Sequence, residues 1–322
     1  MKQRILISRT DSIGDVMLTL PMAYYIKQKF ADAEVYFLGK SYTRDIIEKC
    51  PWVDVFLNAD DFLQWDEGKQ MEELKSYHLD VVIFALPTSH WMKVSALAAI
   101  PKRIATGHRI SSWKWATDRL FFSRKKSNLH EAQLNLKLLK PMGIEVNPSL
   151  KEIGQIDLLG QAHASKKNRL IIHPFSQGSA LNWTLEQYDE LVTLLQDSNF
   201  EMVVSGTKKD AEELLKRPGT PLAQLPSVCG ELTLSEFIGY IGESRALVAC
   251  STGPLHLASA QGIHAVGLYV DRRPIHPGRW SPLGKHVHVV KETDVNQTRI
   301  LTTPKLVATF LKSIMEHPTT TL

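Results

Sequence analysis

The chain has 322 residues, 43% hydrophobic and 22% charged, which is the balance of a soluble globular protein and about the right length for two domains. No run approaches the roughly 20 apolar residues that span a bilayer, and the opening MKQRILISRT has too short an apolar core for a signal peptide, so it reads as a strand. A formal net charge of +4 argues against a nucleic-acid binder and suits an anionic substrate or lipid surface. The cysteines Cys50, Cys229 and Cys250 are odd in number and lack metal-ligand spacing, as expected of a protein in a reducing cytosol.

In chain order, RILIS is followed by a loop and the helical run GDVMLTLPMAYYIKQKF. Then come AEVYFLG, SYTRDIIEKC, VDVFLN, a polar helical stretch near 67–77, DVVIFAL, HWMKVSALAAI and KRIATG. Apolar runs of this length, separated by helical patterns, predict parallel strands buried on both faces, a doubly wound α/β domain. A long helical segment, HEAQLNLKLLKPMG, closes this half, and a polar stretch over 145–167 marks the boundary. Domains of 1–150 and 151–322 are expected. The second half restarts the pattern with RLIIHPF, TLEQYDELVTLLQDS, FEMVVSG, TKKDAEELLKR, LSEFIGYIGES, RALVAC, GPLHLASAQG and HAVGLYV. It ends in HVHVV, the helix TPKLVATFLKSIMEH and a frayed PTTTL tail.

Ligands of open parallel sheets bind beyond the carboxyl ends of the strands, so the strand-to-helix corners are where function is sought. The first, SRTDSIGDVMLTLP, has one glycine, Gly14, which permits a tight turn or close approach to a ligand, followed by Asp15. It lacks the G-x-G-x-x-G of a dinucleotide site. Asp15 falls at the N-cap or in the first turn, where a carboxylate is stabilised. Pattern leaves cap and catalyst both open, with Asp11 and Ser12 as further caps.

The second corner, HPFSQGSALNWT, is a small-residue loop carrying Ser176, Gly178 and Ser179 into a helix with Thr184 as predicted N-cap. It reads as an anion site or as an ordinary loop. The third, CSTGPLHLASAQG, ends a strand in Ser251-Thr252-Gly253 with Pro254 near the first helical position. His256 lies on an otherwise apolar face, where a histidine is more often packed than catalytic. A fourth stretch, DRRPIHPGRW, gathers Arg272, Arg273, His276, Arg279 and Trp280, which suit a phosphate, a base or an acidic sugar as well as a solvated loop. D-x-D, H-E-x-x-H and G-x-S-x-G are absent, so neither a metal centre nor an α/β-hydrolase is indicated.

In this order ILISRTDSIGDVMLTLP, IIHPFSQGSALNWT and STGPLHLASAQG resemble the heptosyltransferase family, glycosyltransferase family 9, over nearly the whole chain. The resemblance implies a GT-B fold of two facing Rossmann-like domains, the first binding acceptor and the second a nucleotide sugar. It implies inverting, metal-independent and cofactor-free transfer of a heptose from ADP-heptose to the inner core of lipopolysaccharide. The family's Gly-Asp pair falls on Gly14-Asp15, making Asp15 the general base. Ser176, Gly178, Ser179, Gly206, Ser251, Thr252, Gly253 and His256 then hold the donor, Arg9, Gly14 and Arg109 the acceptor. Lys208, Arg272 and Arg273 are the candidate cations for the diphosphate.

Two positions depart from the family pattern. Leu181 stands where a lysine precedes the Trp183 position, and Ser251 where many members carry Asp. A lost charged contact to a phosphate costs on the order of 1.5–3 kcal/mol, so a transferase using another nucleotide sugar and a non-catalytic binding protein stay open. A basic surface of Arg9, Lys27, Lys40, Arg44, Lys102, Arg103, Arg109 and Lys114 is expected to receive an anionic lipid-linked acceptor. SSWKWATDRLFF, with Trp113, Trp115, Phe121 and Phe122, fits the membrane interface or the core equally. The expected location is the cytoplasm, peripheral at the inner face of the inner membrane.

Overall fold

The computed structural model describes residues 2–160, 167–176, 178, 180–291 and 303–316. Ser179, part of the expected linker and the PTTTL tail lie outside them. The chain divides into two compact units, Met1–Gly160 and Gln161–Leu322. The helix Leu150–Ile153 belongs to the first unit, as does Asp157, whose carbonyl accepts a 2.6 Å hydrogen bond from Trp52 Nε1. The division therefore falls ten residues after the expected position.

The first unit contains β1 (Arg4–Ser8), β2 (Glu34–Gly39), β3 (Val55–Asn58), β4 (Val81–Phe84), β5 (Lys102–Thr106) and β6 (Asp118–Leu120), in sheet order β3-β2-β1-β4-β5-β6. All pairings are parallel. The second unit contains β7 (Arg169–His173), β8 (Glu201–Val204), β9 (Ala246–Cys250), β10 (His264–Leu268) and β11 (Val287–Val290), in the order β11-β10-β9-β7-β8, again parallel. Strands buried on both faces account for the unbroken apolar runs: Ile5, Leu6 and Ile7 in β1, and all five residues of β9, are buried.

This order positions the sites. In the first sheet the chain winds outward from β1 through β2 and β3, then returns to place β4 on the other side of β1. The second sheet does the same about β7, with β8 on one side and β9 on the other. Crevices open at such reversals, between β1 and β4 and between β7 and β9.

Three elements differ from the sequence reading. The run after β1 forms two helices, Ile13–Met17 and Pro21–Lys29, because Pro21 lacks an N–H and opens a new helix at its first position. HEAQLNLKLLKPMG forms only a short α-helix, Glu131–Leu136, and continues as the tighter helix Lys137–Met142, which contains Pro141. Gly143 ends it at φ +73°, in the left-handed region. β6 was not foreseen, since three half-buried residues at a sheet edge carry no periodic signal.

Candidate active site

Asp15 is the third residue of the helix Ile13–Met17, and the cap is Ser12. Ser12 Oγ accepts the Asp15 N–H at 3.4 Å and donates to Asp15 Oδ2 at 2.5 Å. Asp15 Oδ1 is held by Arg9 Nη2. Arg9, expected on an open basic surface, is only 4% exposed. It follows β1 directly and points across the reversal, where its Nη1 donates to Ala85 O, just past β4, at 3.3 Å, while Nε donates to Asp11 Oδ1 at 2.7 Å. Gly14 has ordinary helical backbone, so the expected tight turn is not its role.

The remaining partners come from residues that the sequence reading passed over. Glu131, 1% exposed on the helix Glu131–Leu136, lies 3.7 Å from Arg9 Nη1 and accepts from Arg124. Arg124 also donates to Asn135 Oδ1 (2.9 Å) and Ala85 O (3.3 Å). Asn135, fully buried one turn after Glu131, donates to Leu18 O (3.0 Å) and Thr19 Oγ1 (3.1 Å), and Thr19 Oγ1 donates to Asp15 O at 2.8 Å. Tyr42 donates its phenol to Asp11 O. Two guanidinium groups thus sit among three carboxylates. Burial raises the Asp11 carboxyl above its ordinary value, Arg9 pulls it back and the Asp15 charge raises it again. Burial acts against the Arg9 charge, yet Asp15, Asp11 and Glu131 together raise its pKa.

Four candidate corners of the second unit prove unequal. At the end of β7, Ser176 Oγ donates to Ala180 O (2.9 Å) and accepts from Asn182 Nδ2 (3.0 Å), so the hydroxyl holds its own loop. Gly178 is at φ +82° with open space around it, and conformation alone requires glycine there. Thr184 caps the following helix as expected, in a reciprocal box with Gln187. Glu186 bonds its own backbone N–H and the Thr184 hydroxyl, which lower its pKa. Its Oε1 also accepts from Arg217 Nη2 at 2.8 Å. Leu181 packs on the core beside Trp183, which is 3% exposed.

At the end of β8, Thr207 N–H and Oγ1 donate to Asp210 at 2.7 and 2.8 Å, again closing the helix start. Gly206 is needed for this packing: a Cβ there would lie 2.8 Å from Asp210 Cβ. His173 Nδ1 lies 3.0 Å from Ser205 Oγ, and burial pulls its pKa down to about 4. Lys208 is exposed on this corner.

The helix Gly253–Ala260, after β9, has no side-chain cap and no acid in its first turn. Its flanking hydroxyl, on Thr252, turns back to donate to Cys250 O at 3.2 Å. Ser251 is hydrogen-bonded to the Tyr269 phenol, which donates in turn to Trp280 O at 3.0 Å. Trp280 Nε1 donates to Pro274 O at 2.8 Å, and Arg279 stacks 4.6 Å from the Trp280 ring centroid. The fourth corner, the Arg-rich loop, is thereby fastened to the Ser251 corner. Asp271, Arg272, Arg273 and His276 line a concavity of about 520 Å³. Burial and the neighbouring Arg273 lower the His276 pKa. His256 is 4% exposed within its helix, the packed arrangement that its apolar face predicts.

The basic surface contracts in the structure. Lys27 pairs with Asp54 at 2.6 Å, Lys102 donates to Pro141 O, and Arg103 holds Trp115 O and Ile100 O. Arg109 and Lys114 are exposed beside Ile110 (90%), Trp113 (60%) and Phe121 (62%). Trp115 packs on the core instead. Among the described residues, no helix is long and apolar enough to cross a membrane, and no three His, Cys, Asp or Glu side chains are placed to hold a metal ion.

Known proteins share this fold. The model of glycosyltransferase family 9 (heptosyltransferase) matches residues 69–306. A Haemophilus influenzae protein described as "Putative glycosyltransferase" is 26% identical, over 88% of each chain. Escherichia coli ADP-heptose lps heptosyltransferase II superposes with a TM-score of 0.76 at 18% identity, covering 99% of this chain and 100% of that one. E. coli heptosyltransferase WaaC with ADP gives 0.75 at 17%, covering 97% and 99%. The fold is accordingly α/β of the GT-B class, and the chain belongs to glycosyltransferase family 9, the heptosyltransferase family.

Proposed function

We propose that this glycosyltransferase moves a heptose from ADP-heptose to the inner core of lipopolysaccharide, with inversion at C1, without a metal or other cofactor, and with Asp15 as general base. The observation that carries the reading is the Asp15 carboxylate at the β1/β4 reversal, held on one oxygen by Arg9 and on the other by Ser12. Its side chain is 18% exposed, and each carboxylate oxygen has a second lone pair. An acceptor hydroxyl gives its proton to Asp15 as its oxygen bonds to C1, and the bond from C1 to the diphosphate oxygen breaks on the opposite face. ADP leaves with the electron pair.

The departing charge needs positive potential. The uncapped start of Gly253–Ala260, with Arg272 and Arg273 on the loop fastened to it, fits that role better than the self-capped corners. Lys208 is the alternative cation. ADP-heptose and lipopolysaccharide are named for relatives of this chain, which supports the same pair here. The acceptor is anionic and lipid-linked, and Arg109, Lys114 and the exposed Ile110, Trp113 and Phe121 suit peripheral contact at the cytoplasmic face of the inner membrane.

A second reading, transfer from a different nucleotide sugar, is favoured by Ser251. Its bond to Tyr269 puts a neutral group where many family members place a charge. Thermal shifts with ADP, UDP, GDP, CMP and ADP-heptose, with and without EDTA, decide between them. A ligand at about 100 times its Kd stabilises by about 2.7 kcal/mol. An ADP-selective, EDTA-insensitive shift is expected. Selectivity for another nucleotide refutes the donor assignment, and no shift with any of them favours a non-catalytic binding protein.

A further inference from the structure

The helix Glu131–Leu136 presents two buried polar residues, Glu131 and Asn135, one turn apart on the face toward the helix that carries Asp15. A buried carboxylate is costly, and apolar side chains would fill the space more cheaply. Asn135 binds Leu18 O, at the carboxyl end of the Asp15 helix. Glu131 reaches the other end through Arg9, against which it stands at 3.7 Å.

We propose that Glu131 is a positioning residue for Asp15: by competing for Arg9, it sets how strongly that guanidinium holds the Asp15 carboxylate, with Arg124 fixing Glu131 in place. This rests on the reading of Asp15 as the base. Arg9 faces Asp11, Asp15 and Glu131 together. Without Glu131, the charge of Arg9 falls on the two aspartates alone, and Asp15 is held more tightly and accepts a proton less readily. Arg124 has the opposite influence, because it neutralises Glu131 directly. Among the described residues, the ionisable groups around the pair include Asp11 beyond β1, Tyr42 beyond β2, Arg124 beyond β6 and Glu131 on its helix.

Two measurements on the full chain test this. Glu131→Gln keeps the shape and the acceptor for Arg124 while removing the charge. In a double-mutant cycle by urea unfolding, Asp15→Asn shifts the folding equilibrium about tenfold further in the Glu131→Gln background than alone, as expected for two groups sharing one cation. Additive effects overturn the proposal whatever the activity, since a merely structural Glu131 gives additivity.

The second measurement follows ADP release from ADP-heptose with heptose-deficient lipopolysaccharide as acceptor. In Glu131→Gln the acid limb of the kcat/KM profile moves down by about one pH unit, and in Arg124→Gln it moves up. Coupling in the cycle with an unmoved acid limb supports charge sharing and refutes Asp15 as base. If Glu131→Gln does not fold, a downward or unmoved limb in Arg124→Gln overturns the proposal.

Discussion

Arg9→Gln tests the electrostatic reasoning at the β1/β4 reversal most directly. The wild-type guanidinium is 4% exposed and contacts three carboxylates, those of Asp11, Asp15 and Glu131. Its removal leaves Arg124 as the one cation among the described partners of this cluster. Removing one side of a buried ion pair costs about 3–5 kcal/mol, because the opposite charge stays buried without compensation. For a unit of this size that is roughly a 10 °C fall in midpoint near neutral pH.

The pH dependence separates this from simple loss of packing. Asp11 already has a raised pKa with Arg9 present, and it rises further without it. A carboxyl whose folded pKa is raised contributes stability that is complete below its unfolded value, about 4. That stability is lost as pH climbs through the folded value. The variant is therefore most damaged at pH 7.5 and recovers about half the loss at pH 4.5 relative to wild type. Urea unfolding at pH 4.5, 6.0 and 7.5, followed by circular dichroism, measures it. A deficit independent of pH, or below about 1 kcal/mol at pH 7.5, refutes the account of a buried, Arg-compensated cluster.

Three further outcomes are expected. His288 is 2% exposed, stacked on His264, with its pKa lowered by burial to about 4. Its neutral form stabilises the fold above about pH 6.5, and roughly 3 kcal/mol is lost as pH falls from there toward 4. His288→Phe flattens that slope in urea titrations, and an unchanged slope refutes the assignment. Tyr269→Phe removes the donor to Trp280 O and the partner of Ser251. It costs about 1–3 kcal/mol and shrinks the ADP thermal shift, and an unchanged shift uncouples the Arg-rich loop from nucleotide binding. Trp113→Ser with Phe121→Ser removes two side chains that are 60% and 62% exposed. About 2–3 kcal/mol of apolar contact, roughly a 30- to 160-fold loss of binding to anionic vesicles, is expected by cosedimentation. Equal binding by the double variant refutes the membrane face.

Among the described residues, ten of the eleven strands were legible, because parallel strands buried on two faces leave apolar runs such as RILIS and RALVAC, whereas the strand order that sets the reversals was not. Asp15 stood out as a candidate from its place after such a run. Its environment was not legible. Arg124, Glu131 and Asn135 lie more than 100 residues along the chain, and HEAQLNL reads as an ordinary helical pattern with polar residues turned to water. Only the path of the chain shows that Glu131 and Asn135 face inward. The corners of the second unit misled for a related reason. Small residues before a helix suggest an anion site, but Gln187 and Asp210 fold back onto two of those helices, and a side chain three residues into a helix is easily read as surface.

The surroundings of Asp15 weigh on whether it only caps its helix or also serves as the proposed base. Capping needs one oxygen at the helix start, and Ser12 supplies it. A carboxylate at the third helical position is then completed by its bond to Ser12 and would stand in solvent at no cost. Instead a nearly buried arginine is aimed at it across the sheet reversal, and that arginine is surrounded by two further carboxylates. Helix capping explains none of this expense in desolvation. The proposed role as base accounts for it, because a base must keep one orientation while leaving a lone pair free for the acceptor hydroxyl. Under the proposal made for Glu131, one cation is shared among three anions: Arg9 fixes the direction of Asp15, and Asp11 and Glu131 keep it from binding that carboxylate too tightly.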